Sequence, residues 1–333
     1  MTTERPVTFR NRNGCRLFGM LYVPDAPLAR RVGIVVSVNA IKYRAGTFRL
    51  HVLLARALCA LGYHVFTFDP EGIGDSEGVF ETKLLSAHYF DIQTGKYNND
   101  LKDAIDFFVG ECKIDSVLLS GLCGGAISVL MAAVDPRVHG LILLNLPVLV
   151  EDLKLEGRVD NVAKITSTES AGTLLKSKLA RVGQLSFWRK LVNRGVNMRE
   201  ELALVSKAVS VMARKTAQKL RPPRAIRPAL DAGKPVSDHR LFNPHFQPAF
   251  MHAMNKRKRI LFLFAEHDPW TWIFKSEFQD RVLTPGNVYA DRCDVTVIAG
   301  ANHIFSGTAS QRELTQDICD WLSLHFPAQR AAA

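Results

Sequence analysis

The sequence predicts an α/β protein whose mostly parallel sheet is covered by helices on both faces and interrupted late by a helical cap. Three observations carry that reading. Short apolar runs alternate with amphipathic helical stretches through the first half of the chain. One of those runs, Val117 to Ser120, feeds directly into the small residues of Gly121-Leu122-Cys123-Gly124-Gly125. The alternation stops at Pro147 and resumes at Arg259.

Taken in order, Val7–Arg10 and Leu17–Val23 flank Asn13-Gly14, which marks a β-hairpin. Val32–Val38 is a continuous apolar run suited to a strand buried on both faces. Phe48–Leu61 carries Leu50, Leu53, Leu54, Ala57 and Leu58 at helical spacing and is closed by Gly62. Tyr63–Phe68 is the next strand, and Asp69 to Gly78 is rich in turn residues. A helix near Asn99–Val109 precedes the Val117 strand. Beyond the small-residue turn, an apolar helix runs through Met131 and Ala133, and Val138–Asn145 is the following strand. After the interruption, Arg259–Ala265 and Asp294–Ala299 read as strands and Gln311–Leu324 as the closing helix.

Between Pro147 and Lys258 the pattern is helical without a clear strand. Arg199–Leu220 shows Leu202, Val205, Val209 and Met212 on one side and charged residues away from it. Arg221-Pro222-Pro223-Arg224-Ala225-Ile226-Arg227-Pro228 cannot continue a helix and reads as a linker. Residues 1–146 and 259–330 are therefore expected to form the sheet domain, and 147–258 the cap. Charge follows the same division. The chain carries a net +11, yet residues 151–258 hold 22 Lys and Arg against 9 Asp and Glu, and the remainder 21 against 23. The whole positive excess lies in the cap segment, which suggests an anionic partner there.

Composition also narrows the class. No run of about 18 apolar residues is present, so no membrane-spanning helix is expected. The N-terminus lacks the apolar stretch of a secretion signal. The six cysteines are scattered, with neither metal-ligand spacing nor a dense disulfide framework. A reduced cytoplasmic protein without metal or cofactor follows, and no nucleic-acid-binding motif accompanies the basic segment.

Gly121-Leu122-Cys123-Gly124-Gly125 matches the pattern G-x-S-x-G with cysteine as the central residue. In that pattern the nucleophile occupies a strained strand-to-helix turn, so the residues two before and two after must be small. The helix N-terminus behind it favours a thiolate and a developing oxyanion. A glycine-rich turn with an inert buried cysteine is the plainer alternative. Two later features decide against it. Ile260–Ala265 runs into Glu266-His267-Asp268, and Val295–Ala299 runs into Gly300-Ala301-Asn302-His303. Nucleophile, acid and histidine thus come in that order, each just after a strand.

The expected triad is Cys123, His303 and Asp268, with Glu266 the rival acid and His267 a neighbouring loop residue. His303 would take and return the proton of Cys123 while Asp268 orients the imidazole. Gly124 is expected to supply one oxyanion N–H, and Ala40 or Ile41 the second. Leu122, Trp188 and Trp270 are candidate substrate contacts, with Trp272 nearby. Asp75-Ser76 resembles a catalytic pair but reads as a structural turn.

At these residues the chain resembles the α/β-hydrolase superfamily, and more narrowly the hydrolases associated with exosortase A systems. The resemblance is carried by Tyr43-Arg44-Ala45-Gly46 with Arg49, by Phe68-Asp69 and Gly72-Ile73-Gly74-Asp75-Ser76-Glu77-Gly78, and by Gly121-Leu122-Cys123. It continues in Asp135-Pro136-Arg137-Val138, Leu143-Leu144-Asn145, Phe187-Trp188-Arg189-Lys190-Leu191 and Ala301-Asn302-His303-Ile304-Phe305-Ser306. It implies an α/β-hydrolase fold and a cysteine-based hydrolase, and names no substrate. Two departures stand out. Glu71 lies where that family tends to carry an arginine, which reverses a charge beside the expected pocket. The Gly124-Gly125 doublet instead resembles the elbow of polyhydroxyalkanoate synthases and dienelactone hydrolases.

Cysteine at the elbow also bears on the reaction. An acyl-cysteine is itself a thioester, so it can accept an acyl group from a thioester donor at little change in energy and pass it on. With the basic cap, this points to an acyl-thioester hydrolase or acyltransferase acting on coenzyme A or acyl carrier protein substrates. A small ester or lactone hydrolase is the first alternative, and a non-catalytic binding module on the same scaffold the second. The sequence sets no oligomeric state.

Overall fold

The computed structural model describes residues 2–25, 31–38, 42–80, 85–150 and 242–327. Their centre is an eight-stranded sheet in the order β1-β2-β4-β3-β5-β6-β7-β8. The strands are β1 (Thr3–Arg10), β2 (Arg16–Val23), β3 (Val32–Ser37), β4 (His64–Phe68), β5 (Ser116–Leu122), β6 (Val138–Leu144), β7 (Arg259–Ala265) and β8 (Cys293–Ile298). β1 and β2 form the expected hairpin, in register from Thr3↔Val23 to Arg10↔Arg16, and β2 runs antiparallel to β4. Every pairing from β4 through β3 and β5 to β8 is parallel. The apolar runs predict this arrangement, because strands covered on both faces lose the polar alternation of half-exposed ones.

Helices α1 (Leu50–Ala60), α2 (Leu85–Gln93), α3 (Asn98–Cys112), α4 (Gly124–Ala132), α5 (Phe246–Asn255), α6 (Pro269–Phe274) and α7 (Thr308–His325) clothe the sheet. On one face Leu54 and Leu58 of α1 join Leu314, Ile318 and Leu322 of α7 over Ile34, Leu118, Ile142 and Leu261. On the other, α4 packs with α2, α3 and α5. β5 is buried at all seven positions, which makes it the least exposed place from which to launch a side chain. Full burial of each large aliphatic residue is worth about 1.5–3 kcal/mol, so the strand is held firmly from both sides.

Three boundaries differ from the sequence reading. α1 begins at Leu50 rather than Phe48, because Phe48 and Arg49 adopt φ 54° and 59°, outside the helical region. α2 is absent from the reading; its mixture of His88, Tyr89, Asp91 and Gln93 with apolar residues gives no clean periodicity. α5 lies inside the segment assigned to the cap. Its Phe246 and Phe250 are buried and each meets the Phe278 ring edge-on at 4.8 Å, so residues 242–258 pack with the sheet.

The chain leaves the sheet and returns at one point. Leu149 and Phe242 form an antiparallel bridge, and Asn243 N donates to Val148 O at 2.9 Å. The helix expected at Arg199–Leu220 and the linker at Arg221–Pro228 lie outside the described residues.

Candidate active site

The parallel strands β3 to β8 end along one edge of the sheet, and the sequence-predicted triad is spread along that edge. Cys123 follows β5 directly and is the residue before α4. Its φ and ψ are 56° and −123°, a conformation that non-glycine residues rarely hold and that persists only where surroundings impose it. They do so here. Cys123 N donates to Leu144 O at 2.8 Å, and Ala126 N to Cys123 O at 2.9 Å. A methyl group on Gly121 would sit 2.4 Å from Gly125 O, and one on Gly125 would sit 2.8 Å from Val38 O. The two glycines are therefore required by close backbone contact and not by their own φ angles. The second glycine of the doublet exists because β3 passes beside the turn, with Ser37 paired to Gly121.

Asp268 follows β7 and is 2 % exposed. One carboxylate oxygen caps α6, accepting from Trp270 N at 3.2 Å, with Pro269 at the first helical position. The other meets His303 Nδ1 at 2.6 Å. An ionised carboxylate at that distance requires the proton on Nδ1, which leaves Nε2 for a different partner. On the nucleophile side the interacting group is Cys123, whose side chain acts on the imidazole and helps to hold its proton. Burial alone would lower the imidazolium's pKa, but the hydrogen bonds to Asp268 and Cys123, with their charges, outweigh it and raise it to about 10. The arrangement favours the charged, imidazolium form of His303.

Glu266, the rival acid, is exposed and accepts from Gly300 N at 2.7 Å, so it anchors the β8–α7 loop. His267 is exposed, and its backbone N donates to Ala301 O at 2.9 Å. Neither shares the Asp268–His303 pair. Leu122 is 3 % exposed and packs in the same cluster as Cys123, with residues of α1 and α7. Trp270 is half-buried and Trp272 exposed. Gly124 begins α4 behind Cys123. Ala40, Ile41 and Trp188 lie outside the described residues.

Two arrangements around this edge are not evident from sequence. Asn145, fully buried at φ 45°, accepts from Ala265 N at 2.8 Å through its side-chain oxygen. Its side-chain nitrogen donates to His303 O at 2.8 Å, and its backbone N to Leu263 O at 2.8 Å. In the sequence its signal is a polar asparagine directly after an apolar strand, in the stretch Leu143-Leu144-Asn145. The second arrangement is built on Asp69, which is wholly buried. It pairs with the Arg44 guanidinium and accepts from Arg44 N at 2.5 Å and Asp75 N at 3.2 Å. Arg44 also reaches Asp75 at 2.7 Å, and Ser76 Oγ donates to Asp69 O at 2.6 Å. Asp75-Ser76 is thus a structural turn that fixes the loop after β3. Glu71 is held by the opening hairpin: Asn11 and Asn13 each donate to it at 2.8 Å.

No protein-family model matches the chain, and no curated protein matches it. Solved structures do. An α/β serine hydrolase without lid from Xanthomonas campestris is 14 % identical, with a TM-score of 0.51 over 99 % of this chain and 98 % of that one. A serine hydrolase homologue from Coxiella burnetii is 14 % identical, with a TM-score of 0.51 over 97 % and 98 %. An esterase from Pyrococcus furiosus is 11 % identical, with a TM-score of 0.53 over 97 % and 93 %. The chain has the α/β-hydrolase fold.

Proposed function

We propose that the protein is a cysteine-nucleophile hydrolase or acyltransferase that works through an acyl-Cys123 intermediate, with acyl-thioesters as its substrate class. The reading rests on one observation: a cysteine held at φ 56° before a helix acts on a histidine whose other side meets a buried carboxylate at 2.6 Å. The Cys123 thiolate attacks the acyl carbonyl, and the oxyanion is received by Gly124 N–H and by an N–H from Ala40 or Ile41. His303, as imidazolium, gives its proton to the leaving thiolate as the carbonyl re-forms. The neutral imidazole then takes a proton from water or another acceptor, whose oxygen or nitrogen attacks the acyl-cysteine. Collapse releases the acyl product and returns the proton and the thiolate–imidazolium pair. Asp268 keeps Nδ1 protonated throughout and stabilises the charged ring.

Thioester preference follows from the near-equal energies of donor thioester and acyl-cysteine, and the positive excess of residues 151–241, 19 Lys and Arg against 9 Asp and Glu, suits coenzyme A phosphates or an acidic carrier surface. The narrower kinship with exosortase-associated hydrolases belongs to the same proposal, as does a cytoplasmic setting. It is supported by Arg44, Asp69, Gly74 and Asp75, which meet in one network: a methyl group on Gly74 would strike Asp69 at 2.4 Å. The second reading, a small ester or lactone hydrolase, draws on the serine hydrolase and esterase structures of like fold. Incubation with acyl-coenzyme A, acyl-carrier protein and p-nitrophenyl esters, followed by intact mass of the protein, separates the two. An acyl adduct on Cys123 from the thioesters, lost in Cys123→Ala, supports the first. Fast ester turnover with no thioester preference supports the second. Unchanged turnover in both Cys123→Ala and His303→Ala removes the mechanism.

A further inference from the structure

At the opposite edge of the sheet, where β6 and β7 begin, lies a cavity of about 690 Å³. Its walls include Lys256, Arg257, Lys258 and Arg259 together with His139 and His252, and among the described residues no carboxylate lines it. Val134, Pro136 and Phe326 supply an apolar side, and His325, on the same rim, pairs with Asp294 at 3.3 Å. The volume falls in the range of small-molecule sites.

How the cations are delivered carries the argument. α5 ends in a Schellman turn: Arg257 N donates to Met254 O at 3.0 Å and Lys258 N to Ala253 O at 2.9 Å. The residue after the cap in this motif is left-handed and is usually glycine; here it is Arg257 at φ 55°. The next position usually makes an apolar contact; here it is Lys258, 4 % exposed. Its ammonium donates to Asp135 O at 2.8 Å and Val138 O at 2.6 Å, which leaves one of its three protons without an acceptor among the described residues. His252 Nε2 is out of solvent and has no hydrogen-bond partner among the described residues. Two positions where local stability favours glycine and an apolar side chain hold cations instead. A solvated basic face would need neither the left-handed arginine nor the buried lysine.

We propose that this cavity binds a phosphate-bearing ligand of nucleotide size, its phosphates on the Lys256–Arg259 cations and its flat or apolar body against Pro136 and Phe326. The site is separate from Cys123, since β6 and β7 run their full length between the two edges. At about 3.3 Å per residue, seven-residue strands put them roughly 20 Å apart. The assignment is independent of the reaction assigned to Cys123.

Calorimetric titration with ADP, pyrophosphate and adenosine tests it on the full chain. ADP is expected to bind saturably at one per chain, pyrophosphate more weakly and adenosine not at all. Arg257→Gly relieves the left-handed strain, so its Tm without ligand should equal or exceed that of the wild type while its ADP affinity falls about tenfold, the loss expected for one charge-assisted contact. Lys256→Ala should weaken ADP in the same direction. ADP should leave the rate of Cys123 alkylation by iodoacetamide unchanged. Absence of saturable ADP binding, wild-type affinity in Arg257→Gly, adenosine binding equal to ADP, or protection of Cys123 by ADP would each overturn the assignment.

Discussion

The side-chain amide of Asn145 donates to the main-chain carbonyl of His303 at 2.8 Å while its oxygen accepts from Ala265 N, three residues before Asp268. One buried side chain therefore ties the loop that carries the imidazole to the strand that carries its carboxylate. Asn145→Ala would remove both bonds and leave a buried N–H and carbonyl unsatisfied, at a cost of about 1–3 kcal/mol for each group. Chemical denaturation should register that loss. If the residue positions the pair, kcat should fall more than KM rises; a change confined to stability would make it a packing residue only.

Asp268 and Glu266 make a second contrast. Asp268→Asn should lower turnover by roughly 10²–10⁴-fold, as loss of an orienting carboxylate does. Glu266→Gln keeps an acceptor for Gly300 N and should leave turnover within about threefold, since a neutral hydrogen bond at an exposed site is worth about 0.5–1.5 kcal/mol or less. Steady-state kinetics of the two variants decides between the carboxylates, and the reverse order would reassign the triad.

The raised His303 pKa gives a pH dependence of known sign. The folded protein holds the imidazolium up to about 10, whereas an unfolded histidine releases its proton near 6.5. Between those values the native state binds more protons. The contribution of His303 to stability is thus complete below about pH 6.5 and is lost as pH rises toward 10. Urea unfolding from pH 6 to 10 should show a steeper decline for the wild type than for His303→Gln. Equal slopes would mean that the imidazole does not gain its charge from Asp268 and Cys123.

The elbow glycines predict a steric limit. Gly121→Ala would put a methyl group 2.4 Å from Gly125 O, a backbone atom that cannot turn aside. Destabilisation on the order of 3 kcal/mol or more is expected, as for overpacking against fixed backbone. Gly14→Ala provides the control for glycine loss, because nothing lies within 4 Å of it, though its φ of 81° still carries the usual left-handed penalty of about 1 kcal/mol. Melting temperatures of the two variants should differ clearly.

Asp69 predicts the behaviour of the loop after β3. Burial pushes its carboxyl pKa up, against the Asp75 N–H and the Arg44 charge and hydrogen bonds that pull it down. Arg44→Met would strand a wholly buried carboxylate, with a loss of about 3–5 kcal/mol unless the group takes a proton. Paired replacement by Arg44→Met and Asp69→Asn should recover much of the stability. A double-mutant cycle with no coupling would show that the pair is not what holds the loop.

Much of this molecule was legible in its sequence because the signals are local. Apolar runs mark β3, β5, β6 and β7 by burial on both faces, small residues mark the turn at Cys123, and strand ends mark where Asp268 and His303 must emerge. What only the tertiary structure decided depends on contacts far apart in sequence. Asn145 reaches His303 across 158 positions, and Asp268 is chosen over Glu266 by which carboxylate points at a ring 35 residues away. Leu122 turns into the core, Glu71 toward the opening hairpin, and a helix ending at Asn255 presents a row of cations to a cavity. Periodicity reports which face of an element is apolar; it does not report which neighbour that face will meet, and the chemistry of this protein lies in those meetings.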